Sequence, residues 1–204
     1  MNYLYAMLEQ LRAWDEQLLL FLNGLNAPWL DTVAFWLTKT ECWIPLYALL
    51  LYLIFSKHKK EAWFVLAGIA LSLVLSDQIT SGIMKPFFER LRPSHEPGLE
   101  GVLHIVNGYR GGLYGFVSSH AANTAGVALF VFLLFRSVYR YAWTIFVWAA
   151  VVSYTRIYLG VHYPGDVFIG VLVGLACGFA GFRFYGWLKT RVKKKSPGSE
   201  TVGS

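Results

Sequence analysis

The sequence predicts an all-α integral membrane bundle of about five transmembrane helices, preceded by an N-terminal interfacial amphipathic helix. Of its 204 residues, 56% are hydrophobic and only 15% charged, a balance too apolar for a soluble domain of this size. Eight Trp, twelve Tyr and fifteen Phe suit aromatic belts at two lipid interfaces. The net charge of +6 does not point to nucleic acid, because five of the basic residues stand in KTRVKKK, residues 189–195, beside the last apolar run. That placement marks a cytoplasmic flank.

The N-terminus lacks the basic start, apolar core and small-residue cleavage site of a signal peptide and is expected to be retained. Leu4, Met7, Leu8, Leu11, Trp14 and Leu18 recur at helical spacing, with Glu9, Arg12, Glu16 and Gln17 opposite. Such a helix lies on a membrane more comfortably than it crosses one. NGLNAP at 23–28 reads as a turn. Apolar runs follow at 42–55, 62 to about 84, 119–135, 141 to about 154, and 164–187, with basic segments at 56–60, at Arg136 and Arg140, and at 189–195. These alternate as the positive-inside tendency requires. One domain is expected over 1–195, and the polar 196–204 is read as a disordered tail or a cloning remnant. Cys42 and Cys177 sit in apolar stretches without metal-ligand spacing and read as small buried hydrophobes.

This topology brings three polar segments to one face. KPFFERLRP holds Lys85 and Arg92 seven residues apart, about two helical turns if the helix continues; interfacial anchoring is the plainer alternative. GFVSSHAANTAG places Ser118 and Ser119 at a helix N-cap and His120 in the first turn, where free N–H groups and hydroxyls form an anion cradle. TRIYLGVHYPGD holds Arg156, His162 and Asp166. Pro164 suits a first helical turn, so the helix should start near Tyr163, with Asp166 reaching back to a ring nitrogen of His162. An imidazole oriented in this way is a nucleophile or a base, and Arg156 offers a donor fork suited to phosphate. Asp77, about 12 Å before Lys85 on an ideal helix, is expected to bond Thr80, Ser76 or a neighbouring helix. Arg110, in the loop at 93–117, reads as a solvated charge or as a contact to a second phosphate.

In order and spacing these segments resemble the signature of the type 2 phosphatidic acid phosphatase superfamily of integral membrane lipid phosphatases. Lys85, Arg92 and Pro93 match its first motif, Ser118 and His120 its second, and Arg156, His162 and Asp166 its third. Val117, Ser119 and Thr155 replace the pattern's Pro, Gly and Ser. The resemblance implies that His162 is a nucleophile forming a phosphohistidine, Asp166 its orienting group and His120 the acid on the leaving oxygen. Lys85, Arg92, Ser118, Ser119 and Arg156 would hold the phosphate, with no metal and no cofactor. The expected partners are a lipid phosphate substrate and membrane lipids. The expected setting is a bacterial inner membrane with the site facing the periplasm. Of the substrates the resemblance offers, undecaprenyl pyrophosphate is favoured because little chain remains outside the membrane to read a sugar headgroup. Phosphatidylglycerol phosphate and lipid A phosphates are the alternatives. A transporter would spread its polar groups across the bilayer, and a non-catalytic lipid-binding scaffold would need only the cradle.

Overall fold

The structure, a computed structural model, describes residues 2–195; the tail expected at 196–204 lies outside the described residues. α1 (Asn2–Gly24) and α2 (Pro28–Leu37) meet at an elbow where their axes bend by 113°. Pro28 starts α2 because its missing N–H has no intrahelical partner at that position. The apolar stripe of α1 faces outward: Leu4, Met7, Leu8, Leu11, Trp14 and Leu18 are all exposed. Asp15, Leu19 and Asn23 form the inward face instead, with Leu19 and Asn23 buried.

α3 (Ile44–His58) has Pro45 in its first turn and ends at Lys59, whose positive φ breaks the helix. α4 (Ala62–Asp77) returns and runs into a π-helical segment, Gln78–Met84, followed by the single turn α5 (Lys85–Phe88). Glu89 is left-handed and stops the helix there. The segment from 89 to 117 folds as short turns, with Leu91 and Tyr114 paired across it. α6 (Ser119–Phe135) occupies the residues expected for it, with Ser118 as its N-cap accepting from the Ala121 N–H at 3.4 Å. α7 (Ile145–Tyr158) starts later than the apolar run, because 142–144 form a separate turn, and carries on through Arg156. α8 (Pro164–Lys195) has 32 residues.

α8 is the axis of the bundle, packed on α6 and α4 through small residues. A Cβ at Gly174 would lie 2.1 Å from the Ala122 carbonyl oxygen, and one at Gly178 would lie 2.3 Å from that of Gly126. Backbones this close tolerate no side chain between them, the way helices associate where the hydrophobic effect cannot drive them together. At the opposite end from the polar segments, Ile54, Val65, Phe130, Phe135, Trp148 and Tyr185 make the main apolar cluster. Trp148 meets Trp43 and Tyr47 edge-on.

Among the described residues, two helical stretches, Thr40–Phe88 and Pro164–Val192, are long and apolar enough to cross a membrane, and a third if α1 and α2 count as one broken span. This differs from the five runs read from sequence. α6 and α7 have 17 and 14 residues, short of the roughly 20 that span a bilayer core, and α3 and α4 count within a single stretch.

Candidate active site

Four helix ends meet at one end of the bundle: the α5 end of the α4 arm, the start of α6, the end of α7 and the start of α8. The Ser118 N–H donates to the Asp166 carbonyl at 3.0 Å, which fixes the start of α6 against that of α8. Every residue singled out from the three motifs lies in this region.

His162 stands in the turn between α7 and α8, 1% exposed. The N–H groups of Val161 and His162 both donate to the Arg156 carbonyl, closing the turn that carries the ring. Arg92 Nη1 lies 3.0 Å from His162 Nε2. A guanidinium has no acceptor, so Nε2 must supply the lone pair, and the ring is neutral with its hydrogen on Nδ1. Burial first, and then the charges of Arg92, Arg156 and Lys85, hold the imidazole well below its ordinary pKa, with the Gly115 carbonyl pulling the other way. The ring therefore keeps its lone pair at neutral pH.

Asp166 lies 3.5 Å from His162 Nδ1 through Oδ2, close enough to orient the ring electrostatically but longer than a good hydrogen bond. The expected direct bond is absent because the carboxylate is already engaged. Oδ2 accepts from the Tyr163 N–H at 3.0 Å, the back-bond of a helix capping arrangement, and Oδ1 accepts from Arg90 Nη1 at 2.8 Å.

The cations reach the site from separate elements. Lys85 Nζ donates to Ser119 Oγ at 2.7 Å and to Ser81 Oγ at 3.2 Å. Ser119 Oγ also accepts from Thr80 at 2.9 Å, so the hydroxyl that replaces the motif's glycine becomes the anchor of Lys85. Arg92 does not share a helix face with Lys85 as the spacing suggested, because the chain leaves the helix at Glu89. Arg92 is instead held by the Tyr114 and Val161 carbonyls, each at 3.2 Å. Arg156 belongs to the last turn of α7 rather than to a loop, and is 2% exposed. Its Nη1 donates to Thr38 Oγ1 at 2.6 Å and its Nη2 to the Tyr109 hydroxyl at 3.2 Å, while its buried Nε has no partner. His120 is exposed at the mouth of the site, within reach of the charges of Arg156, Arg92 and Lys85. Lys85, Arg92 and Arg156 thus bond only neutral groups among the described residues, leaving three positive charges for an incoming anion.

One expectation changes. Asp77 bonds neither Thr80 nor Ser76: its Oδ1 accepts from Ser81 Oγ at 3.2 Å, and Ser81 in turn bonds Lys85. Arg110 is exposed and donates to the Ser94 carbonyl of its own loop at 2.8 Å. Sequence reasoning missed Thr38, Tyr109, Asp15 and Arg90. Of these, Asp15 carried a signal, since an acidic residue four positions after Leu11 and four before Leu19 interrupts the apolar spacing of α1.

A model of the PAP2 superfamily matches residues 61–190. The chain is 42% identical over 181 residues to a lipid A 4'-phosphatase of Bacteroides thetaiotaomicron, covering 88% of this chain and 79% of that one. It is 39% identical over 178 residues to the lipid A 4'-phosphatase of Porphyromonas gingivalis, covering 87% and 75%. An undecaprenyl-diphosphatase of Bacillus subtilis is 33% identical over 69 residues, 34% of each chain. Among solved structures, LpxE of Aquifex aeolicus superposes with a TM-score of 0.60 at 26% identity, covering 82% of this chain and 93% of that one. The three motifs, the bundle that gathers them and these relatives agree: the chain belongs to the PAP2 superfamily and is a membrane lipid phosphatase.

Proposed function

We propose that this phosphatase hydrolyses a phosphate monoester of lipid A, at the 4' position, through a phosphohistidine on His162. The substrate rests on one observation, the 42% and 39% identity to two lipid A 4'-phosphatases over most of the chain. The isoprenyl pyrophosphate favoured from sequence has the shorter and weaker likeness. The argument from scarce extramembrane chain is also weak, because a headgroup can be gripped by its phosphate alone.

In the first step the His162 Nε2 lone pair attacks phosphorus, the bond from phosphorus to the glucosamine oxygen breaks, and His120 gives its proton to that oxygen. Arg92, which holds Nε2 before substrate arrives, turns its Nη1 to a phosphoryl oxygen. Arg156 adds its open Nε, and Lys85 approaches from Ser119. Charge spread over the phosphoryl oxygens is met by three fixed cations and by the N–H groups at the start of α6. In the second step water attacks the phosphohistidine, His120 takes a proton from it, and inorganic phosphate leaves with the His162 ring restored. Asp166 faces Nδ1–H and stabilises the positive ring that the first step creates and the second step returns to neutral.

The setting proposed is a bacterial inner membrane crossed by α3, α4, α6, α7 and α8, with the site on the periplasmic side. The basic segments at 56–60 and 189–195 support it, since both lie at the other end of the bundle. The test is phosphate release by purified protein in detergent, offered lipid A, undecaprenyl pyrophosphate and phosphatidylglycerol phosphate, with mass spectrometry to locate the phosphate lost. The expected result is loss of the 4'-phosphate of lipid A at the highest kcat/KM. A higher kcat/KM for either other lipid overturns the substrate assignment while leaving the chemistry.

A further inference from the structure

Arg90 differs from the other cations near the site in bonding two carboxylates. Its Nη1 donates to Asp166 Oδ1 and its Nη2 to Asp15 Oδ2, both at 2.8 Å, and its guanidinium lies 3.9 Å from the centre of the Tyr163 ring. A planar fork gripped at two nitrogens and stacked on one face has little freedom left. Asp15 is held just as firmly, because its Oδ1 accepts from the Gly165 N–H at 2.7 Å, one of the free donors in the first turn of α8. Glycine at 165 leaves room for this approach: a Cβ there would lie 2.8 Å from Asp15 Oδ2 and push the carboxylate aside. With both carboxylates on it, Arg90 carries no spare charge for a phosphate.

We propose that Asp15 and Arg90 are positioning residues for the catalytic pair, so that the N-terminal helix α1 is part of the hydrolytic apparatus. This rests on the reading of His162 as nucleophile and Asp166 as its orienting carboxylate. Asp166 is fully buried, and a buried carboxylate needs a counter-charge and filled lone pairs to stay ionised in one orientation. Arg90 supplies the charge, and Asp15 sets where Arg90 sits. Asp15 also ties α1 to the turn of α8 that carries Asp166. Without Asp15, Arg90 is free to follow Asp166 or solvent, the carboxylate turns, and His162 Nδ1 loses the anion that faces it. The outward apolar stripe of α1 seats this brace against lipid, so the brace is complete only when α1 is docked.

The test uses the full chain in detergent, with Asp15→Asn, Arg90→Gln and Arg90→Lys beside Glu9→Gln, an exposed α1 carboxylate that pairs with Arg12. With lipid A as substrate, Asp15→Asn and Arg90→Gln should lower kcat roughly 10- to 100-fold with KM within about twofold. Arg90→Lys, which keeps the charge and one bond, should recover part of the loss, and Glu9→Gln should match wild type. Arg90→Lys also serves as the folded probe if Asp15→Asn yields no stable protein. Loss of thermal stability with kcat unchanged would make the network a structural strut and overturn the proposal. The rate of His162 carbethoxylation by diethyl pyrocarbonate, read by mass spectrometry, gives an arm that needs no turnover. Should wild type release no phosphate, the functional reading falls by itself, and the brace is judged on this rate. A severalfold change in Asp15→Asn relative to Glu9→Gln upholds positioning, and equal rates overturn it.

Discussion

Among the described residues the molecule holds two histidine–aspartate pairs, and the tighter one is not at the site. His104 Nε2 lies 2.8 Å from Asp31 Oδ1, with both side chains about a quarter exposed. His162 Nδ1 lies 3.5 Å from Asp166 Oδ2, with both fully enclosed. The first pair is woven into structure: the Tyr158 hydroxyl also donates to Asp31 Oδ1, and Asn23 bonds the Tyr158 carbonyl and both backbone groups of His104. It pins the elbow between α1 and α2 to α7. The second has Arg92 on its other nitrogen, with Arg156 and Lys85 also near. Proximity of imidazole to carboxylate therefore does not separate the two; what sets the proposed nucleophile apart is a lone pair facing uncommitted positive charge.

The largest effect should come from His162→Ala, which ought to lower phosphate release by about 10⁴-fold or more while the protein stays folded and extractable. Turnover comparable to wild type would sink the phosphohistidine. Asp166→Asn keeps the shape and the bond from Tyr163 but removes the anion, and a loss of about 100-fold in kcat with little change in KM is expected from steady-state kinetics.

A pH profile sharpens the contrast. Because burial and then its cations hold His162 below its ordinary value, protonation of this ring should cost no kcat/KM as pH falls past about 6.5, the point at which a free imidazole would gain its proton. Arg92→Gln should move the acid limb that belongs to His162 upward, but only part of the way, since burial is the larger cause and remains. Stability follows the same sign. Below about pH 6.5 the unfolded chain takes up a proton that the folded ring resists, so the stability tied to His162 is lost as pH drops towards its folded value. The smallest effect belongs to His104→Gln: kcat within about twofold, and a fall in melting temperature matching a partly exposed pair worth about 1 kcal/mol or less. A loss of activity equal to that of Asp166→Asn would erase the distinction between the pairs.

Much of the site could be read in the sequence because its residues lie in short segments with local rules. Ser118 caps α6 and Asp166 folds back on the start of α8, as Ser at a helix start and Asp after Pro-Gly dictate. What escaped was long-range. Arg90 meets Asp15 from 75 residues away, and Thr38 reaches Arg156 from 118, with no periodicity to announce either. The spacing puts Lys85 and Arg92 on one helix face because the left-handed residue that ends the helix is Glu89, not a glycine whose presence would signal a stop. The distance from Asp77 to Lys85 holds for an ideal α-helix, and the chain between them is π-helical.

That π-helical stretch makes chain length itself a determinant of the site. Seven residues, Gln78–Met84, are wound more widely than an α-helix, and in this winding Thr80, Ser81 and Lys85 all meet Ser119. Excising one of the seven with a return to ordinary winding nearly keeps the phase of the flanking helix, so the change falls inside the segment, on Thr80 and Ser81 and the bonds they make to Ser119. A deletion there should therefore weaken the anchoring of Lys85 without touching a motif residue, whereas a deletion near Gly101, at a turn where a Cβ would meet nothing within 4 Å, should pass with less consequence. Among related chains, gaps should accordingly gather in the loop at 97–102 and be missing from 78–84.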